Sequence, residues 1–157
     1  MRGGPAHVLA YDRGMQRVGN CCGTALAALG LVLLTGCTDG KQERCRRMRA
    51  IVTEEMQATT EFGKNAASLD PAAFGTYASA LRKANAASRT AQVEDPALRK
   101  AVDSYRTATE KLAAAYETQA VALTAHALEN AGGAAAAGII YGPMLDKSRI
   151  DIANACP

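Results

Sequence analysis

Between Leu98 and Ala127 the apolar residues recur in alternating steps of four and three: Leu98, Val102, Tyr105, Thr109, Leu112, Tyr116, Ala120, Leu123, Ala127. That spacing draws one stripe down an α-helix. Arg99, Lys100, Asp103, Arg106, Glu110, Lys111 and Glu117 fall on the opposite face. A helix over residues 96–130 would run roughly 50 Å. Its stripe cannot face water, so the fold must supply partners. No stretch alternates with period two for long enough to make a strand, so the partners are helices too.

Three further helices are expected. Cys45, Met48, Val52, Thr59, Phe62 and Ala66 step by three or four, with Ile51 and Met56 widening the stripe and Glu55 interrupting it. They predict a helix from Lys41 to Ser68. Asp70-Pro71 opens a second helix, because Asp accepts from an orphan N–H and Pro fits the first helical position. Phe74, Tyr77, Leu81, Ala84 and Ser88 form its inner face, and it ends near Val93. Asp95-Pro96 repeats the punctuation before the long helix. Gly132-Gly133 ends that helix, and Gly138, Gly142 and Pro143 read as breakers in the segment that follows. A short last helix, Met144–Ala155, would turn Leu145, Ile150 or Ile152, and Cys156 inward. The expected fold is all-α: an irregular four-helix up-down bundle over residues 41–157.

The first quarter of the chain carries an address. Arg13 and Arg17 precede the apolar run Thr24–Leu34, which has the length of a signal h-region and is short for a membrane span. It ends in Leu34-Thr35-Gly36-Cys37. This resembles the lipobox of bacterial lipoproteins, in which an aliphatic and two small residues precede the acceptor cysteine. The resemblance implies that residues 1–36 are a cleaved signal peptide, with Met15 the expected true start. It implies that Cys37 becomes the lipidated N-terminus, with residues 37–40 a short tether. The expected location is the cell envelope, on the outer side of the cytoplasmic membrane or in the outer membrane. Cys21 and Cys22 have no apolar run before them and would leave with the leader.

Cys45 and Cys156 then remain as an even pair. An exported protein meets an oxidising compartment, so a Cys45–Cys156 disulfide is expected. It requires an even number of passes, because only then does the end of the last helix return to the level of Cys45.

Losing Arg2, Asp12, Arg13 and Arg17 with the leader takes the net charge from +3 to +1. A near-neutral body argues against bulk binding of nucleic acid. Lys41, Arg44, Arg46, Arg47 and Arg49 nonetheless cluster just past Cys37. Cations there oppose the helix macrodipole, which suggests contact with an anionic lipid surface or a partner; the alternative is a solvated face, helped by Glu43 four residues before Arg47.

Catalytic signals are sparse. His126 and Glu129 stand three apart on the long helix, but a single reversed pair is short of metal ligands. Tyr77, Tyr105, Tyr116 and Tyr141 could line a cleft, and at helical spacing they read first as core. Gly132–Gly142 does not follow a strand or end in the Lys-Ser/Thr of a phosphate loop. A single His in residues 37–157 leaves little room for a triad. The expectation is a non-enzymatic interaction module without cofactor or metal, held to the membrane by its lipid and offering a helix face to another envelope protein. The alternative is a small-molecule or lipid-binding module, with a cavity along the Gly133–Gly142 wall.

Overall fold

Two Asp-Pro steps set the helix starts. The Asp70 carboxylate accepts from the Ala72 N–H at 2.9 Å, and the Asp95 carboxylate from the Leu98 N–H at 3.0 Å. Each caps a helix whose first residue is proline. In a computed structural model that describes residues 36–127 and 132–156, four helices follow in chain order. They are α1 (Gly36–Asn65), α2 (Pro71–Thr90), α3 (Pro96–Thr124) and α4 (Gly133–Ala155), with a single 3-10 turn at Ala66–Ser68. The fold is all-α, an irregular four-helix up-down bundle, and no strand occurs among the described residues.

α3 is the central element. It packs extensively along both α2 and α4, whereas α1 lies mainly along α2 and meets α4 at few points. The stripe that defines α3 is buried where expected: Leu98, Val102, Tyr105, Thr109 and Leu112 are inaccessible, and Tyr116 is half-buried. Phe74, Tyr77, Leu81, Ala84 and Ser88 of α2 close onto it. Polar groups stitch the same interface. Asn85 Nδ2 donates to the Arg106 carbonyl at 2.7 Å and to Thr109 Oγ1 at 3.0 Å, while Arg106 Nη2 donates to the Ser88 carbonyl at 2.5 Å. Buried side-chain polar groups are costly unless paired, and here each pairing also fixes the register of α2 on α3.

The helix limits differ from the expectation by a few residues at the ends of α1 and α2, and by more in three places. α1 begins at Gly36 rather than Lys41. α3 stops at Thr124, where His126 takes a left-handed φ of 54°. α4 begins at Gly133, eleven residues before Met144, and runs through Gly138, Gly142 and Pro143. Alanine-rich sequence favours the helix, and Ala134, Ala137, Leu145, Ser148 and Ile152 bury one face of it. Pro143 lies on the exposed face, where the carbonyl it leaves unbonded one turn earlier can be hydrated. One predicted stripe position also moves, and one alternative is decided. Met56 is exposed and the neighbouring Glu55 is buried in its place, while Ile152 faces inward and Ile150 faces out.

The ends of α1 and α4 meet as the even-pass argument requires. Cys45 and Cys156 are at disulfide distance, Sγ to Sγ 2.05 Å, with their Cα atoms 5.3 Å apart.

Candidate functional site: a buried ion pair beside an apolar groove

Glu55 occupies a core position of α1 with 1% of its surface exposed. An isolated carboxylate there would be very costly. Arg149 of α4 answers it with a fork: Nε lies 2.9 Å from Oε2 and Nη2 lies 2.6 Å from Oε1. The remaining Arg149 nitrogen, Nη1, reaches Asp146 at 2.6 Å. Thr59, one turn beyond Glu55, donates to Glu55 Oε1 at 2.8 Å, accepts from Arg149 Nη2 at 3.1 Å and lies 3.1 Å from the Tyr77 hydroxyl. Burial works against the Arg149 charge, but the Glu55 contacts outweigh it and hold the guanidinium above its ordinary range. Tyr77 is pushed up to about 12, first by burial. Tyr105 is raised further, by burial and then by the Glu55 charge.

The tyrosines belong to the core. Tyr77 stacks on Phe62 with ring centroids 4.6 Å apart, and Tyr116 meets the same ring edge-on at 5.1 Å.

Beside the ion pair a groove of about 540 Å³ lies between α1 and α4. Arg49, Val52, Thr53 and Met56 form its α1 wall, at helical spacing of three and four. Arg149, Ile150 and Ala153 contribute from α4 in the same rhythm. This groove does not involve the Gly133–Gly142 wall, where the alternative reading places a cavity. A second cleft, of about 780 Å³, runs between α3 and α4 past Ala101, Met144 and Lys147.

The basic cluster is largely neutralised within the fold. Lys41 Nζ lies 3.1 Å from Asp95 and Arg44 lies 3.4 Å from Glu94, tying α1 to the link between α2 and α3. Arg46 and Arg47 both hold Glu43, at 2.6 and 2.8 Å. The Arg47 and Arg46 hydrogen bonds keep Glu43 below the usual carboxylate range. Arg49 alone of the five has no carboxylate within 4 Å among the described residues.

His126 is exposed just past α3. Glu129 lies outside the described residues, and among those described no three His, Cys, Asp or Glu side chains converge as metal ligands. The Cys37 side chain and the leader, residues 1–35, also lie outside the description. No described helix is long and apolar enough to cross a membrane.

Sequence reasoning registered Glu55 only as an interruption of a stripe. That interruption was the available signal, since a carboxylate at a core position demands a partner. Nothing local pointed to Arg149. The chain matches no protein-family model, no curated protein and no solved structure.

Proposed function

We infer that this chain is an envelope lipoprotein, lipidated at Cys37, whose helical bundle serves as a non-enzymatic module for a protein partner in the envelope. The observation that carries the reading is Leu34-Thr35-Gly36-Cys37 placed directly after an apolar h-region and a basic n-region. A disulfide eight residues past that cysteine supports it, since such bonds persist in oxidising compartments. The short separation between Cys37 and Cys45 would hold one pole of the bundle close to the membrane. The charged surface of α3 and the exposed Ile139 and Ile140 of α4 would remain available to a partner.

The test is the intact mass of the protein purified from membranes without reductant. The expected species starts at Cys37, carries a diacylglycerol group and lacks two hydrogens. A chain that keeps residues 15–36 and bears no lipid overturns the lipoprotein reading. Crosslinking in intact cells tests the partner: a single envelope protein attached through α3 or α4 is expected, and the absence of any protein adduct counts against the module.

A further inference from the structure

Charge is distributed unevenly along the α1/α4 groove. Arg49 stands on its rim without a carboxylate partner among the described residues. The groove's own carboxylate, Asp146, is already held by Arg149 Nη1 at 2.6 Å. The walls between are apolar, and two large side chains on them stay in water: Met56 is 49% exposed and Ile150 60%. A run of apolar surface with a cation at its end that has no carboxylate partner among the described residues is the complement of an amphiphile with an anionic head.

Dimensions decide what kind. An α-helix with its side chains is about 10–12 Å across and rises 1.5 Å per residue, so each residue fills roughly 120–170 Å³. A groove of about 540 Å³ is comparable to a single turn, so a partner helix would lie mostly outside it, whereas a slender chain fits within. From Arg49 to Met56 the α1 axis rises about 10 Å. At about 1.2 Å per bond of an extended chain, that matches an alkyl chain of roughly eight to ten carbons. Arg49 lies one turn past Cys45, and Ala153 on the facing wall lies one turn before Cys156. The cationic end of the groove is therefore its disulfide end.

We propose that the α1/α4 groove binds a single-chain amphiphile with an anionic head, its carboxylate or phosphate on Arg49 and its tail along Val52, Met56 and Ile150. The site belongs to the bundle itself and does not depend on lipid at Cys37.

Photocrosslinking with decanoic acid carrying a diazirine near its methyl end tests this on the full purified chain. Adducts are expected on peptides containing Met56 and Ile150, saturating with probe. Unlabelled decanoate and decyl phosphate should both compete, and the stronger competitor identifies the head group. Arg49→Glu should reduce labelling about tenfold or more, the scale of one charge-assisted hydrogen bond, while Arg49→Lys retains most of it. Arg49 is exposed, and an intact Cys45–Cys156 bond in the variant confirms its fold. Three results would overturn the proposal: equal labelling by the matching decylammonium probe, labelling indifferent to Arg49→Glu, or adducts spread equally over Ile139 and Ile140. In intact cells, a protein attached at Met56 that decanoate cannot displace would also overturn it, assigning the groove to a partner.

Discussion

Glu55 and Arg149, 94 residues apart in the chain, meet inside the bundle through two parallel hydrogen bonds of 2.9 and 2.6 Å. The Glu55 side chain is wholly buried and that of Arg149 is 13% exposed. α1 and α4 meet at few points, and this contact and the disulfide are two of the ties between them.

A buried pair is costly to break because the surviving charge has no partner. Glu55→Leu and Arg149→Met should each lower stability by about 3–5 kcal/mol. The paired replacement Glu55→Leu with Arg149→Met should cost less than either single change, because apolar groups of similar volume remove both charges together. Urea titrations of the four proteins form the cycle that measures this. Additive losses would show that the pair is not coupled.

Cys45 and Cys156 close a loop with a sequence separation of 111. In the chain-entropy account, opening such a loop removes about 4–5 kcal/mol. Denaturation midpoints with and without reductant should differ accordingly, and Cys45→Ser with Cys156→Ser should reproduce the reduced protein. Equal midpoints would place the bond outside the cooperative unit.

Alkali should unfold the bundle through its tyrosines. Burial raises Tyr77 to about 12 and also raises Tyr105 and Tyr116. A group whose pKa is higher folded than unfolded contributes stability that is complete below its unfolded value, near 10, and is lost as pH rises through the folded value. Stability should therefore be insensitive to these groups up to about pH 10. It should fall between there and about pH 12, by up to roughly 1.4 kcal/mol per pH unit for each such tyrosine. Tyrosinate absorbance and helix content followed together should change in one step. Ionisation of every tyrosine near pH 10 with helix retained would contradict the burial argument.

The Tyr105 hydroxyl is buried without a hydrogen-bond partner among the described residues, whereas that of Tyr77 meets Thr59. Removing an unpaired polar group costs nothing in lost bonds, while removing a paired one strands its partner. Tyr105→Phe should be at least as stable as the native chain, and Tyr77→Phe less stable by about 1 kcal/mol. Thermal melts of the two variants would separate them. The reverse order would mean that Tyr105 has a polar role in the fold.

What the sequence disclosed depended on range. The starts at Asp70-Pro71 and Asp95-Pro96 were legible because a cap acts within three residues. The α3 stripe was legible because helical period is local, and the Cys45–Cys156 pairing because these two cysteines are the even pair left once Cys21, Cys22 and Cys37 are set aside with the expected leader and lipid acceptor. The length of α4 was not legible. Gly138, Gly142 and Pro143 are breakers by local propensity, and only packing of Ala137, Leu145 and Ile152 against the bundle overrides them. Glu94 and Asp95 as partners of Arg44 and Lys41, and Arg149 as the partner of Glu55, were invisible for the same reason: ion pairs across 50 residues or more leave no periodic trace. The α1/α4 groove depends on how far two helices part, which no pattern along one helix encodes.

The disulfide also sets how the domain carries load. Tension on the chain ahead of Cys45 does not enter α1 alone; the covalent bridge shares it at once with the end of α4. The 111-residue separation between the cysteines is thereby removed from the extensible length. Pulled from that side, the bundle is a closed ring whose helices cannot be drawn out one after another.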